Sequence, residues 1–282
     1  MELTLCLIYY LLLINVIIIF YNYYFNYLYV YKWNNAKLNN KNKLINTFNV
    51  NGCVIIKNML STYDCDMLLN IINFQESQQN NKYGDIMSSY NRKDLILPLY
   101  YTNYYINKIC NKLKVFCNDL VPNYKIVESS CLISYPGCYP QIWHTDTYYK
   151  NKNKDGNLIS FGIALDDINK EMGPLEVYLK SNSIYEQDNG FLYSKYNIKL
   201  RQLDGEIDNG IRYQSDEALC NALKFKKKQC ISNKGDLVIW SSKVYHRGGK
   251  NVLKKRPVFY FSLLGSGNAP NGATYSLLTK DK

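Results

Sequence analysis

Histidine is nearly absent from this chain: there are two in 282 residues, beside 28 tyrosines. The nine cysteines never stand in C-x-x-C spacing, which excludes a zinc ribbon or a thioredoxin-type motif. Their odd number and irregular spacing speak against a disulfide framework and for free thiols in a reducing compartment. No charge occurs between residues 3 and 31, and no internal repeat is visible. Disorder throughout is excluded by a 47% hydrophobic and 20% charged composition, ordinary for a packed core. Acidic residues are outnumbered, 23 against 34 basic ones, for a formal charge of +11. Asn, Lys, Tyr and Ile are all abundant, as AT-rich codon usage would give. Excess lysine on that background is weak ground for a nucleic-acid partner. The basic residues are dispersed, with no aromatic-interleaved groove.

The uncharged run divides into a Leu/Ile segment from Leu3 to Phe20 and a tyrosine belt from Tyr21 to Tyr31. About 18 apolar residues suffice to cross the hydrocarbon layer as a helix, and tyrosines suit its interface. A cleaved signal peptide needs a basic stretch in front, whereas only Glu2 precedes this run. The expectation is a transmembrane anchor over 1–31 and a basic linker over 32–43, carrying Lys32, Lys37, Lys41 and Lys43. The positive-inside rule then turns the lysine side, and the body of the chain that follows it, toward the cytoplasm.

The folded body is expected to begin near Leu44. Phe48–Lys57 reads as a turn at Asn51-Gly52 before a short buried strand. Ser61-Thr62-Tyr63-Asp64 matches a capping box ahead of an amphipathic helix. A second helix is expected over Asn103–Leu120. From about Lys125 the pattern changes to short strands: Ile126–Tyr135, Leu158–Leu165, Leu175–Leu179, Gly235–Trp240 and Val258–Leu264. That spacing suggests an antiparallel sandwich or barrel, interrupted by a long polar stretch over 181–233.

The two histidines carry the chemistry. His144 stands in Trp143-His144-Thr145-Asp146. In an extended segment residues i and i+2 project to the same side, so His144 and Asp146 offer a nitrogen and an oxygen to one point. His246 follows in Tyr245-His246-Arg247-Gly248-Gly249, just after an expected strand. Two imidazoles and one carboxylate on one face form the facial triad of non-haem Fe(II) oxygenases. Three positions stay open, two for a bidentate 2-oxo acid and one for dioxygen. Zinc in a metallohydrolase accepts the same donors, but that reading leaves Arg256 without a task. A hairpin through Gly248-Gly249-Lys250-Asn251 folds Arg256 back toward the same cavity. A guanidinium grips a carboxylate with two parallel hydrogen bonds and stays charged when buried, as the distal carboxylate of 2-oxoglutarate requires. Ser262, on the same strand, adds a hydroxyl donor.

The segments QIWHTD (141–146), ALDDINKEMGPLEVYLK (164–180) and GDLVIWSSKVYHRGGKNVLKKRPVFYFSLL (235–264) resemble the phytanoyl-CoA dioxygenases. The resemblance covers roughly 48–264. It implies a mainly-β (α+β) fold: a double-stranded β-helix, or cupin-like jelly-roll, flanked by N-terminal helices. The expected domain is 44–266 with its jelly-roll core from about 125, followed by a tail over 267–282. The resemblance also implies Fe(II) on His144, Asp146 and His246, 2-oxoglutarate on Arg256, and dioxygen as co-substrate, with ascorbate as an auxiliary reductant. The carboxylate of Asp146 favours hydroxylation, since related halogenases give up that ligand to make room for halide. Two departures reshape the substrate pocket. Gly162 stands where many relatives carry a bulky aromatic, and Lys180-Ser181-Asn182-Ser183 replaces their Gly-Ser-His ending.

The expected function is hydroxylation of a small apolar or lipid-like molecule by an Fe(II)- and 2-oxoglutarate-dependent dioxygenase. An acyl-CoA is included, with Lys250, Lys254 and Lys255 available to a phosphate-bearing head. The N-terminal helix makes the membrane a partner, and nucleic acid is not expected. The rival readings are a nucleic-acid-directed dioxygenase, a non-catalytic ligand-binding member of the same fold, and a membrane-surface scaffold.

Overall fold

The computed structural model describes residues 30–32, 41–78, 90–147, 155–186, 217–270 and 277. A short strand β1 (Val30–Lys32) comes first, then helix α1 (Lys41–Asn51), strand β2 (Cys53–Lys57) and helix α2 (Thr62–Ser77). Strand β3 (Arg92–Ile96) precedes helices α3 (Leu99–Lys112) and α4 (Lys114–Leu120). Strands β4 (Lys125–Ser134), β5 (Leu158–Ala164), β6 (Leu175–Tyr178), β7 (Lys227–Gln229), β8 (Leu237–Ser241), β9 (His246–Gly248) and β10 (Arg256–Leu264) follow. They build a seven-stranded sheet, β1-β2-β8-β5-β10-β4-β3, and a three-stranded sheet, β7-β6-β9. Every pairing between these strands is antiparallel except β1 with β2.

Strand alternation sends successive side chains to opposite faces, and this decides where the core and the cavity lie. On β10, Phe259, Phe261 and Leu263 face the helices, together with Ile159, Phe161 and Ile163 of β5. Phe161 stacks on Phe261 at 4.8 Å, and Phe116 of α4 meets Phe161 edge-on. Leu68 and Ile72 of α2 and Ile106 and Ile109 of α3 close this layer. Each fully buried side chain of this size contributes roughly 1.5–3 kcal/mol. The other parity of β10 is Arg256, Val258, Tyr260 and Ser262, and it faces a cavity instead. The three-stranded sheet covers that side: Val177 and Cys230 pack against Ile55 and Val238.

The local expectations fare unevenly. The capping box forms: Ser61 Oγ accepts from the Asp64 amide at 3.1 Å, and Asp64 Oδ2 accepts from the Ser61 amide at 3.1 Å. The helix expected over Asn103–Leu120 starts earlier and divides at Leu113, where the backbone leaves helical values (φ −101°, ψ 21°). Asn51-Gly52 is a helix end rather than an isolated turn. α1 already runs from Lys41, inside the expected linker, and Gly52 takes φ +71° to send the chain straight into β2.

The expected membrane anchor is overturned. Among the described residues no helix is long and apolar enough to cross a membrane. Residues 1–29 of the expected anchor lie outside the described residues. Its last two, with Lys32, are strand, and Val30, Tyr31 and Lys32 pair with Ile55, Ile56 and Lys57 along the sheet edge. Backbone committed to that ladder cannot also continue a spanning helix. The membrane partner and the cytoplasm-facing orientation derived from that anchor are withdrawn with it. The basic linker at 33–40, much of the polar stretch (187–216) and the tail beyond 270, apart from 277, also lie outside the described residues.

Candidate active site

The loop after β4 is pinned before it reaches His144. Gln141 exchanges hydrogen bonds with Gly248, accepting from its amide at 2.7 Å and donating its own to the Gly248 carbonyl at 2.9 Å. Trp143 is buried against Tyr178, with Arg247 over its ring at 4.7 Å. His144 and His246 then bond backbone to backbone in both directions, at 3.0 and 2.9 Å. The Asp146 amide donates to the Ser242 carbonyl at 2.9 Å. The expected alternation across Thr145 thus delivers both side chains to the face that His246 occupies.

The three side chains converge. Asp146 Oδ1 lies 3.4 Å from His246 Nε2 and 3.9 Å from His144 Nε2, and one ligand atom from each lies within 4.8 Å of the others. Each imidazole is set by its other nitrogen. His144 Nδ1–H donates to the Ile142 carbonyl at 2.7 Å, and His246 Nδ1–H to the Val244 carbonyl at 3.0 Å. That fixes the tautomer and leaves both Nε2 lone pairs for a cation. Burial, with His246 alongside, pushes the His144 imidazole down to about 4, so it is neutral and able to ligate. Burial opposes charge on Asp146 too, but His246, His144 and Trp240 together hold its carboxyl below the usual range. His246 is raised, because Asp146 outweighs the burial that disfavours its proton.

Trp240 of β8 was not anticipated. Its indole Nε1–H donates to Asp146 Oδ2 at 3.3 Å, steadying the carboxylate. The space for that ring comes from Gly162 on the neighbouring strand, where a Cβ would lie 3.0 Å from Trp240 Cζ3.

Arg256 is 3% exposed and lines the same cavity of about 220 Å³. Its Nη1 donates to the Gly173 carbonyl, while its Nε is buried without a hydrogen bond. Gly173 permits this approach: at φ +66° it packs on Gly249, where a Cβ would meet the Gly249 carbonyl oxygen at 2.4 Å. Burial and the neighbouring Arg92 lower the Arg256 guanidinium to about 10, still charged near neutral pH. A buried guanidinium with an unused N–H fits a carboxylate ligand. Ser262 is not brought to Arg256. It lies six residues along β10, roughly 20 Å of extended strand, and its hydroxyl donates to Glu128 Oε2 at 2.7 Å.

Glu128 and Asp94 also line the cavity, and both were missed. The Tyr260 hydroxyl lies 3.1 Å from Asp94 Oδ2 and 3.1 Å from Glu128 Oε1. Ser160 and Ser262 hydroxyls are 3.0 Å apart beside them.

Comparison with known proteins agrees with this geometry. No curated protein matches the chain. Among solved structures it is similar to the non-haem α-ketoglutarate-dependent carbocyclase SnoK from nogalamycin biosynthesis. The TM-score is 0.59 at 14% identity, covering 85% of this chain and 88% of that one. The epimerase SnoN, solved with Fe3+, α-ketoglutarate and nogalamycin RO, gives 0.56 at 10% identity over 80% and 83%. HygX from Streptomyces hygroscopicus, solved with nickel and 2-oxoglutarate, gives 0.53 at 11% identity over 85% and 96%. At such identities the likeness establishes the fold, a sheet-rich, antiparallel α+β architecture of the cupin-like oxygenase kind. The phytanoyl-CoA dioxygenase (PhyH) family model matches residues 48–256, most of the chain. With that match spanning His144, Asp146, His246 and Arg256, the chain belongs to the phytanoyl-CoA dioxygenase family of non-haem iron, 2-oxoglutarate-dependent oxygenases.

Proposed function

We propose that His144, Asp146 and His246 hold Fe(II), that Arg256 anchors the distal carboxylate of 2-oxoglutarate, and that the enzyme hydroxylates a small molecule with an apolar body. One observation carries this reading: two Nε2 atoms and one carboxylate oxygen converge on a cavity that also holds a buried arginine. When bound, the metal and 2-oxoglutarate supply dioxygen activation coupled to decarboxylation of the 2-oxo acid. The chain's own contribution is placement. The Ile142 and Val244 carbonyls aim the imidazoles, Trp240 steadies Asp146, and Arg256 orients the co-substrate along β10. Leu132, Leu158, Ile168, Leu175, Val238 and Val258 form an apolar wall that keeps bulk water from the reacting centre. In this reading 44–266 form the catalytic unit, with a double-stranded β-helix core from about 125.

The apolar wall supports the expected apolar substrate. A CoA head finds less support, because Lys254 pairs with Asp166 at 2.6 Å and Lys255 with Glu76 at 2.7 Å. The test is succinate formation from 2-oxoglutarate by purified protein with Fe(II) and dioxygen. Full activity in His144→Ala would overturn the assignment of the ligands.

A further inference from the structure

Two thiols meet at the seam between the sheets. Cys53 opens β2 of the large sheet, opposite Trp240 of β8. Cys230 follows β7 of the small sheet, and its amide donates to the Leu175 carbonyl of β6 at 2.7 Å. The two residues are 177 positions apart in sequence, yet their Sγ atoms lie in contact at 4.0 Å. Both are buried in the apolar seam with Ile55, Val177, Leu179 and Val238. The described cysteines are all free and buried. Among them Cys230 alone lines the active-site cavity. A solute small enough to enter that cavity therefore reaches Cys230, with Cys53 behind it.

We propose that Cys53 and Cys230 form a peroxide-sensitive dithiol, which closes to a disulfide and staples the two sheets together beside the active site. A disulfide bond is about 2.05 Å long, so the sulfurs close by about 2 Å, less than a side-chain rotation spans. The Cys230 sulfur attacks one oxygen of hydrogen peroxide. The O–O bond breaks, Cys230 becomes a sulfenic acid, and the other oxygen leaves as water. The Cys53 sulfur then displaces the hydroxyl from Cys230: the S–S bond forms, the S–O bond breaks, and the Cys53 proton leaves with the hydroxyl as a second water. The two thiols lose two electrons and the peroxide gains them. Burial, with Cys230 alongside, pushes the Cys53 thiol well above its ordinary range, so Cys53 brings that proton to the second step. The active site draws His246 from the small sheet and Trp240 from the large one, and the staple fixes the same seam. The inference stands independently of the dioxygenase reading.

The test is treatment of the full chain with equimolar hydrogen peroxide, with a chelator present so that no metal takes part. Alkylation and peptide mapping without reduction follow. The expected result is a linked Cys53–Cys230 peptide pair, two hydrogens lighter than the separate peptides and released by dithiothreitol. It should form before any Cys110–Cys117 pair, whose thiols also hydrogen-bond but line no part of the cavity. Closing so long a loop should raise Tm by at least about 4 °C. Cys53→Ala and Cys230→Ala should each abolish both the linked pair and that rise. The variants cut the same bond from opposite sheets, so loss of fold in one leaves the other to decide. Oxidation of Cys230 to sulfinic acid with no linked pair, earlier closure of another pair, or a Tm rise that persists in a variant would overturn the inference.

Discussion

The two ends of strand β10 face one cavity and offer opposite chemistry. At the first residue Arg256 places a buried guanidinium, and at the far end Tyr260 and Ser262 lie against the carboxyl groups of Asp94 and Glu128. The metal ligands come from elsewhere, from the loop after β4 and from β9. A single inward-facing parity of one strand therefore carries a cation at one end and lies beside two carboxyl groups at the other.

Several substitutions would break or sharpen this contrast. The largest effect is expected at the ligands between the two ends. Asp146→Ala should bring both iron binding, followed by metal analysis after dialysis, and succinate formation below detection. Arg256→Ala should strike only the end that holds the guanidinium. It should weaken 2-oxoglutarate by about 2–5 kcal/mol, measured by calorimetry, while Ni(II) affinity is unchanged. Trp240→Phe keeps the ring and removes its N–H from Asp146, so metal affinity should fall about 10- to 100-fold, read by competition with a chelator. Glu128→Gln should act most gently, on stability. The folded chain holds that carboxyl up to about 8 through burial, whereas the unfolded chain ionises it near about 4.3. Between those values the folded state keeps a proton the unfolded state has lost, so stability falls as pH rises and the loss is complete above about 8. The variant's Tm should therefore exceed the parent's at pH 9 by roughly 1–4 °C, with the gap closing near pH 5.

Much of the site could be read before any fold was known. The His144-x-Asp146 spacing needed only the period of an extended chain, and His246 needed only a preceding strand. Ser61 and Asp64 announced a helix start through chemistry local to four residues. Glu128 was invisible for a definite reason: on β4 it shares a face with Ser130, Leu132 and Ser134, and a mixed face of that kind looks the same against solvent as against a cavity. Trp240 depended on the register that sets it beside Gly162 and Ser160, a long-range pairing no local pattern encodes. Arg256 and Ser262 share a face by parity, yet strand rise separates them, so parity alone could not show that they serve different ends. The uncharged run misled because hydropathy counts apolar residues without asking whether their backbone has another partner, as Val30 and Tyr31 do on β2.

The reciprocal amide bonds between His144 and His246 carry a kinetic consequence. The two residues are 102 positions apart, and their meeting needs the small sheet to be seated on the large one. Contacts of such sequence separation close slowly. Cobalt uptake during refolding should accordingly trail the rise of helical circular dichroism, making the ion a clock for the last step of assembly.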